Sequence, residues 1–304
     1  MKPIDSIFNQ FMQGSRKLLA LPDIYQQLDK LLKSDHASIV DIGFLISSDA
    51  ALTAQVLKLA NSPAFSFKAE ITNIDRAISL IGTQELKNLV LMEVVVKNFN
   101  SMNCPALNAE DFWRRSVYQA IIAKKLALHC YHSDPDRLFV CGILSRIGQL
   151  MCCSVDPVKT EQVISGTLSS SPSNEKQTEL LSEQNIFGFT VNELSARLLR
   201  HWKVPDSICT PISTFTFPVQ PEHVELGEFK TDCYILYCAS IFSFLLEQSD
   251  TEVLSAGDLI NQIDPQINLH LGLDQDFLSE LLLDIEMDAM EILAAVFPDS
   301  MVIY

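Results

Sequence analysis

The stretch Ile74-Asp75-Arg76-Ala77-Ile78-Ser79-Leu80-Ile81-Gly82-Thr83-Gln84-Glu85-Leu86-Lys87-Asn88-Leu89-Val90 holds two helices and the break between them. Ile74, Ala77, Ile78 and Ile81 recur at the three-and-four spacing that stacks side chains on one helix face. Gly82 stops that run. Thr83 is a capping residue type, and the helix it opens carries Leu86, Leu89, Val90 and Val94 toward Asn98. Val94–Val96 is β-branched, a strand signal when taken alone, but it lies within the helical repeat.

The same period extends in both directions. Ile4, Ile7, Phe8, Phe11 and Met12 form one stripe, and Ile24, Tyr25, Leu28, Leu31 and Leu32 form the next. Ser38 and Asp41 make a capping-box pair ahead of Ile42, Leu45 and Ile46, and Asp49 caps a helix carrying Leu52, Val56 and Leu59. Asn100–Asn108, with Pro105, reads as a connection between lobes. Asn108 caps a long helix through Phe112, Trp113, Val117, Ile121 and Leu128, and Asp134-Pro135 is a cap followed by proline at the first helical position. Val158–Lys176, with Ser169, Ser170, Ser171, Pro172 and Ser173, reads as a mobile surface loop. Val191, Leu194, Ser195, Leu198, Leu199 and Trp202 form a further stripe, ended before Pro205. Thr216–Lys230 reads as a loop, and helical patterns resume at Cys233–Leu246 and Phe277–Val296. The expected fold class is all-α.

Composition narrows the function classes. At 304 residues, with 48% hydrophobic and 20% charged, the chain is no disordered polymer. Its 22 basic against 38 acidic residues give a net charge of −16, which disfavours nucleic acid and anionic membrane as partners. Met1–Leu21 lacks the pattern of a signal peptide, since Asp5, Gln10, Arg16 and Lys17 interrupt it. Cys233–Leu246 is shorter than the ~20 residues of a membrane span and reads as a core helix. The eight cysteines form no CxxC pair and are expected as small buried hydrophobes in a reducing cytosol, Cys152 and Cys153 among them. A cytoplasmic protein is the expectation.

An ordered set of short motifs goes further. Leu21-Pro22, Leu59-Ala60-Asn61-Ser62, the Ile74–Val90 pattern, Phe112-Trp113-Arg114, Gly142-Ile143-Leu144-x-x-Ile147-Gly148 and Leu198-Leu199-x-x-Trp202-x-x-Pro205 together resemble the HDOD family, the HD-related output domain of bacterial signalling proteins. The resemblance runs from about Ser15 to Ile212 and continues more weakly to about Phe297. It implies a multi-helical HD-like core with an N-terminal helical lobe. The implied division is an N-terminal helix at 1–14, an HDOD domain at 15–215 and a C-terminal helical extension at 216–304 packing on the core. Within the domain the lobe covers about 15–100 and the core about 108–215.

The parent HD superfamily comprises metal-dependent phosphohydrolases, whose divalent ion needs imidazole and carboxylate ligands on adjacent helices. The resemblance matches those ligand positions to Arg115, Ser145, Arg146, Val191 and Ser240, none of which is an imidazole or a carboxylate. It therefore implies a non-catalytic signalling module without a cofactor. Such a module would be a stand-alone adaptor that binds a protein partner in two-component or cyclic-dinucleotide signalling. The alternative is a divergent phosphohydrolase with displaced ligands. Arg115 and Arg146 would both point inward and must be satisfied there. Internal carboxylates are the first expectation for their partners, and an anion such as a nucleotide or phosphate the second.

Other clusters have plainer readings. His129, His132, Asp134 and Asp136 have metal-ligand chemistry, but a histidine at a helix C-terminus and an aspartate cap explain them better. Glu179, Glu183 and Glu193 read as solvated helix faces. Arg197, Arg200, His201 and Lys203 read as a solvated or salt-bridged face. No nucleophile elbow, P-loop or GxGxxG fingerprint occurs.

Overall fold

A computed structural model describes residues 3–14, 23–34, 38–62, 65, 70–100, 104, 106–168, 175–216, 227–248 and 254–296. Among these residues there are seventeen α-helices and no strand. They are α1 (Pro3–Gly14), α2 (Asp23–Leu32), α3 (Ile39–Ser47), α4 (Ala50–Ala60), α5 (Ile74–Ile81), α6 (Thr83–Asn100), α7 (Ala109–His129), α8 (Pro135–Leu144) and α9 (Ile147–Val155). There follow α10 (Pro157–Leu168), α11 (Glu175–Phe187), α12 (Val191–His201), α13 (Asp206–Thr214), α14 (Lys230–Gln248), α15 (Ala256–Asn261), α16 (Pro265–Leu271) and α17 (Gln275–Val296). The chain divides into a larger unit, Met1–Ser15 with Met102–Glu286, and a smaller one, Arg16–Ser101 with Met287–Tyr304. The N-terminal helix thus groups with the larger unit, and the boundary between the units in the C-terminal part of the chain falls at Glu286.

In the smaller unit the caps form as their residue types dictate. Ser38 and Asp41 make the reciprocal capping box of α3, and Asp49 accepts the Ala51 and Leu52 amides at the start of α4. Asn61 closes the segment after α4. Its side-chain amide donates to the Ile71 carbonyl and its oxygen accepts the Ile71 amide, both at 2.8 Å. Helix α6 is apolar on nearly every side, with Leu89–Val96 all buried, so its β-branched run is core rather than strand. Lys87, also buried, is held by Asp29 at 2.5 Å.

The larger unit is built on α7, which packs against α8 and α14. Two glycines set how closely its helices cross. A Cβ at Gly142 would lie 2.5 Å from the Ala120 Cα on α7, and one at Gly148 would lie 2.1 Å from the Val191 carbonyl on α12. At the second crossing the Gly148 amide donates to Ser195 Oγ at 2.8 Å.

Three expectations need correction. The loop expected over Val158–Lys176 is helical at both ends, in α10 and α11, and 169–174 lies outside the described residues. The Asp156 carboxylate accepts the Lys159 amide at the start of α10, and buried Thr160 and Val163 anchor that helix to the core. The serine-rich composition belongs only to the part between. Secondly, Cys104 and Cys153 form a disulfide across 49 residues of sequence, in a contact that no local spacing announces. Cys209 and Cys233 are free thiols, each pushed up to about 12 by burial, as expected of inert core groups. Thirdly, the core helix expected at 233–246 is the 19-residue α14. By length and composition two segments, Pro135–Val155 and Gly227–Gln248, resemble membrane spans, and their apolar windows are 89% and 67% buried within the protein. The loop expected at Thr216–Lys230 falls mainly on 217–226, outside the described residues.

The glycine crossing gives a direct test. Gly148→Ala should cost roughly 1–3 kcal/mol through overpacking against Val191, read as a lower Tm by circular dichroism. Gly257→Ala, whose Cβ would meet only Ser255 Oγ at 3.6 Å, should leave Tm unchanged or raise it.

Candidate functional site

Helix α7 presents Arg115 to the interior of the larger unit, with 4% of the residue exposed. Its guanidinium makes a two-pronged contact with Glu179 of α11, at 2.9 and 3.3 Å, and reaches Glu247 of α14 at 3.2 Å. The Phe244 ring lies beneath it, 4.6 Å from the guanidinium carbon. A forked cation facing a carboxylate satisfies two donors at once, so this pairing suits arginine and not lysine.

Arg146 lies at the turn into α9 and is 6% exposed. It donates to Gln149 Oε1 at 2.6 Å and stands 3.8 Å from the same Glu179 oxygen that receives Arg115. Burial pulls both guanidinium groups toward neutrality. For Arg115 that effect is outweighed by Glu179, Glu247 and Glu183, which hold its pKa above the ordinary arginine value. For Arg146 burial and the repulsion of Arg115 prevail, and its pKa is held below. Arginine stays charged across the working range in either case. The Nε of each arginine has no hydrogen-bond partner.

The remaining family-matched positions lie around this cluster. Ser145 is fully buried, and its carbonyl accepts from Asn192 and Ser195 of α12. The Val191 amide donates to Glu183 Oε2 at 2.9 Å, and Glu183 also acts on both arginines. Ser240 precedes Phe244 and Glu247 by four and seven residues on α14, hence on the face that meets Arg115. A divalent ion here would meet two guanidinium groups, and the carboxylates nearest to it are already engaged by them. The residues present do not fit a metal at these positions.

Glu179 and Glu183, expected on a solvated face, are 5% and 2% exposed and are central to the cluster. The i,i+4 carboxylate pair on α11 and the two inward arginines were the available sign, since each needed the other. Glu247 and Gln149 carried no sequence signal of their own.

The other clusters disperse into structural roles. His132 accepts the Asp134 amide at Nδ1 and meets buried Asp232 through Nε2 at 2.8 Å. Arg137 contacts the other Asp232 oxygen at 2.7 Å. Burial would raise the Asp232 pKa, but His132 and Arg137 bring it below the usual carboxylate value. His129 stacks on Phe277, Asp134 caps α8, and Asp136 pairs with Lys124. Glu193 forms a capping box with Thr190. Arg197 pairs with Asp5 at 2.7 Å and Arg200 with Asp206 at 3.7 Å, while His201 lies edge-on to Phe8.

The all-helical fold agrees with comparison to known proteins. A family model for the HDOD domain matches residues 18–216. The chain belongs to the HDOD family. A curated relative, an uncharacterized protein of Treponema pallidum (strain Nichols), is 24% identical over 202 residues, covering 63% of this HDOD chain and 36% of that protein. The chain thus spans little more than a third of that relative's length. Among solved structures, a provisionally named phosphohydrolase from Shewanella amazonensis SB2B superposes with a TM-score of 0.68 at 24% identity, covering 94% of this chain and 98% of that one. An HDOD domain protein of unknown function from Geobacter sulfurreducens gives 0.67 at 23% identity, with 96% of each chain covered. A provisionally named signal transduction protein from Marinobacter aquaeolei VT8 gives 0.66 at 20%, covering 97% of this chain and 64% of that one. At these identities the structural likeness carries the fold alone.

Two measurements probe the buried charges. Glu179→Gln should destabilise the protein by roughly 3–5 kcal/mol in urea unfolding, because two interior cations lose their shared partner. Arg115→Met with Glu179→Met should recover most of that loss. The second concerns acid. With its folded value depressed, Asp232 stabilises the protein above its unfolded pKa of ~3.9, and that contribution is lost as pH falls through the lower folded value. Asp232→Asn should therefore be less stable at neutral pH and show a flatter stability profile below pH ~4, read by unfolding at a series of pH values.

Proposed function

We propose that this HDOD chain is a non-catalytic signal-transduction adaptor that acts by binding a protein partner in bacterial two-component or cyclic-dinucleotide signalling. One observation carries the reading. The positions matched to HD metal ligands hold Arg115, Ser145, Arg146, Val191 and Ser240, and the interior there is filled by an Arg115–Glu179–Arg146 ion cluster. Hydrolysis by the HD route needs an ion to activate water and neutralise phosphate charge. Two cations already pair with Glu179 in that place, and one of them also with Glu247.

The same cluster weighs against sensing of an anion. A phosphate or nucleotide approaching Arg146 would also face Glu179, Glu183 and Glu247, the carboxylates that act on both arginines. Support for a protein partner comes from α3, where Val40 and Phe44 are 69% and 79% exposed beside half-exposed Ile39. Adjacent exposed apolar side chains of this size mark interaction surfaces.

The expected outcome is no metal-dependent turnover of cyclic dinucleotides or nucleoside phosphates by the purified chain, with Mg²⁺, Mn²⁺ or Zn²⁺ added. Turnover that Arg115→Ala or Arg146→Ala abolishes would establish the phosphohydrolase alternative. Phe44→Glu should leave Tm within about 1 °C, as expected of an exposed position, and should remove a partner recovered with the wild-type chain from its native host.

A further inference from the structure

We propose that the smaller unit carries a binding site for a small primary alkylammonium ion, received by Glu93 of α6 and Gln55 of α4. Glu93 is 1% exposed, yet its Oε2 has no hydrogen-bond partner. Gln55 Oε1 is likewise shut off from solvent and without a partner. Both residues line one cavity of about 150 Å³, together with apolar Leu52 and Val94. Buried acceptors left unsatisfied are expensive, and native structures seldom keep two on the lining of one cavity without a group to fill them.

The chemistry of the walls selects the occupant. Two orphaned acceptors, one of them a carboxyl, ask for a donor with positive charge. A divalent metal would meet the Lys97 cation on the same wall, and the Asp49 oxygen that caps α4 is already engaged by the Ala51 and Leu52 amides. Leu52 and Val94 offer instead a surface for a short hydrocarbon chain, and a cavity of about this volume holds a molecule the size of benzene. The charged groups facing Glu93 are Lys97 from its own helix and Asp49 from the start of α4, while α2 contributes apolar Ile24.

Burial pushes Glu93 up to about 7 against the pull of Lys97, so the chain's own cation does not hold it ionised. An ammonium ion in the cavity would favour the carboxylate and expel its proton. Binding should therefore tighten as pH rises through about 7 and level off above it.

Isothermal titration calorimetry of the full chain tests this with n-butylamine, and with n-butanol as its neutral counterpart. The expected result is saturable amine binding that strengthens from pH 6 to pH 8, with no binding of the alcohol. Repeating the titration near neutral pH in buffers of different ionisation enthalpy should reveal proton release. Glu93→Gln keeps the side chain's shape and removes a buried charge, so it should fold. It should bind the amine about ten- to a hundredfold more weakly, as expected for losing a charge-assisted hydrogen bond, and without proton release. Gln55→Leu should weaken binding without removing the proton release. Absence of saturable amine binding at millimolar concentrations, equal binding of the alcohol, or an unchanged affinity in Glu93→Gln would overturn the proposal and leave a cavity that holds only water.

Discussion

Two guanidinium groups inside an apolar helical core set the terms for the larger unit. An unpaired interior cation costs several kcal/mol, a large part of the 5–15 kcal/mol that separates a folded domain from its unfolded chain. Arg115 and Arg146 are each more than nine-tenths buried, so α11 must turn Glu179 and Glu183 inward, and α14 must bring Glu247 to the same place. Helices far apart in sequence are thereby held to one point. The cost of separating any of them is electrostatic as well as apolar.

A metal ion and an arginine can occupy equivalent positions in a helical core and still make different molecules. A divalent ion leaves a coordination site for water and lowers that water's pKa, which is where hydrolytic chemistry begins. A guanidinium brings only donors, in a fixed plane, and has no vacancy to offer. The Arg115 fork on Glu179 ties α7 to α11 through two donors at once. Ser145 and Val191 turn the neighbouring backbone to the same end. The Ser145 carbonyl accepts from α12, and the Val191 amide donates to Glu183.

The smaller unit resolves its polar groups differently. Asn61 spends its side chain on the backbone of Ile71, and Lys87 finds Asp29. Glu93 stands apart, buried beside an exposed Lys97 that is too well solvated to hold its charge. The smaller unit thus pairs Lys87 internally and still keeps a buried acid with an open acceptor.

Local physics was legible from the residues alone. Helical spacing, the caps at Ser38, Asp49, Asn108 and Asp134, and the stop at Gly82 all act within a few residues, so the all-α class and most helix starts follow without tertiary information. The ordered motifs likewise carried the HDOD likeness, and with it the idea that Arg115 and Arg146 point inward. What composition obscured was context. Serines and a proline around 170 masked the helices on either side, and Glu179 and Glu183 had the look of a solvated face because their sequence neighbours Lys176, Gln177, Ser182, Gln184 and Asn185 are polar. Their partners come from α7 and from the turn into α9, and the partner of Cys104 lies 49 residues away. Pairings across such distances depend on which helix faces meet in the packed core. Sequence spacing governs what one helix presents, and only tertiary structure decides what it is presented to.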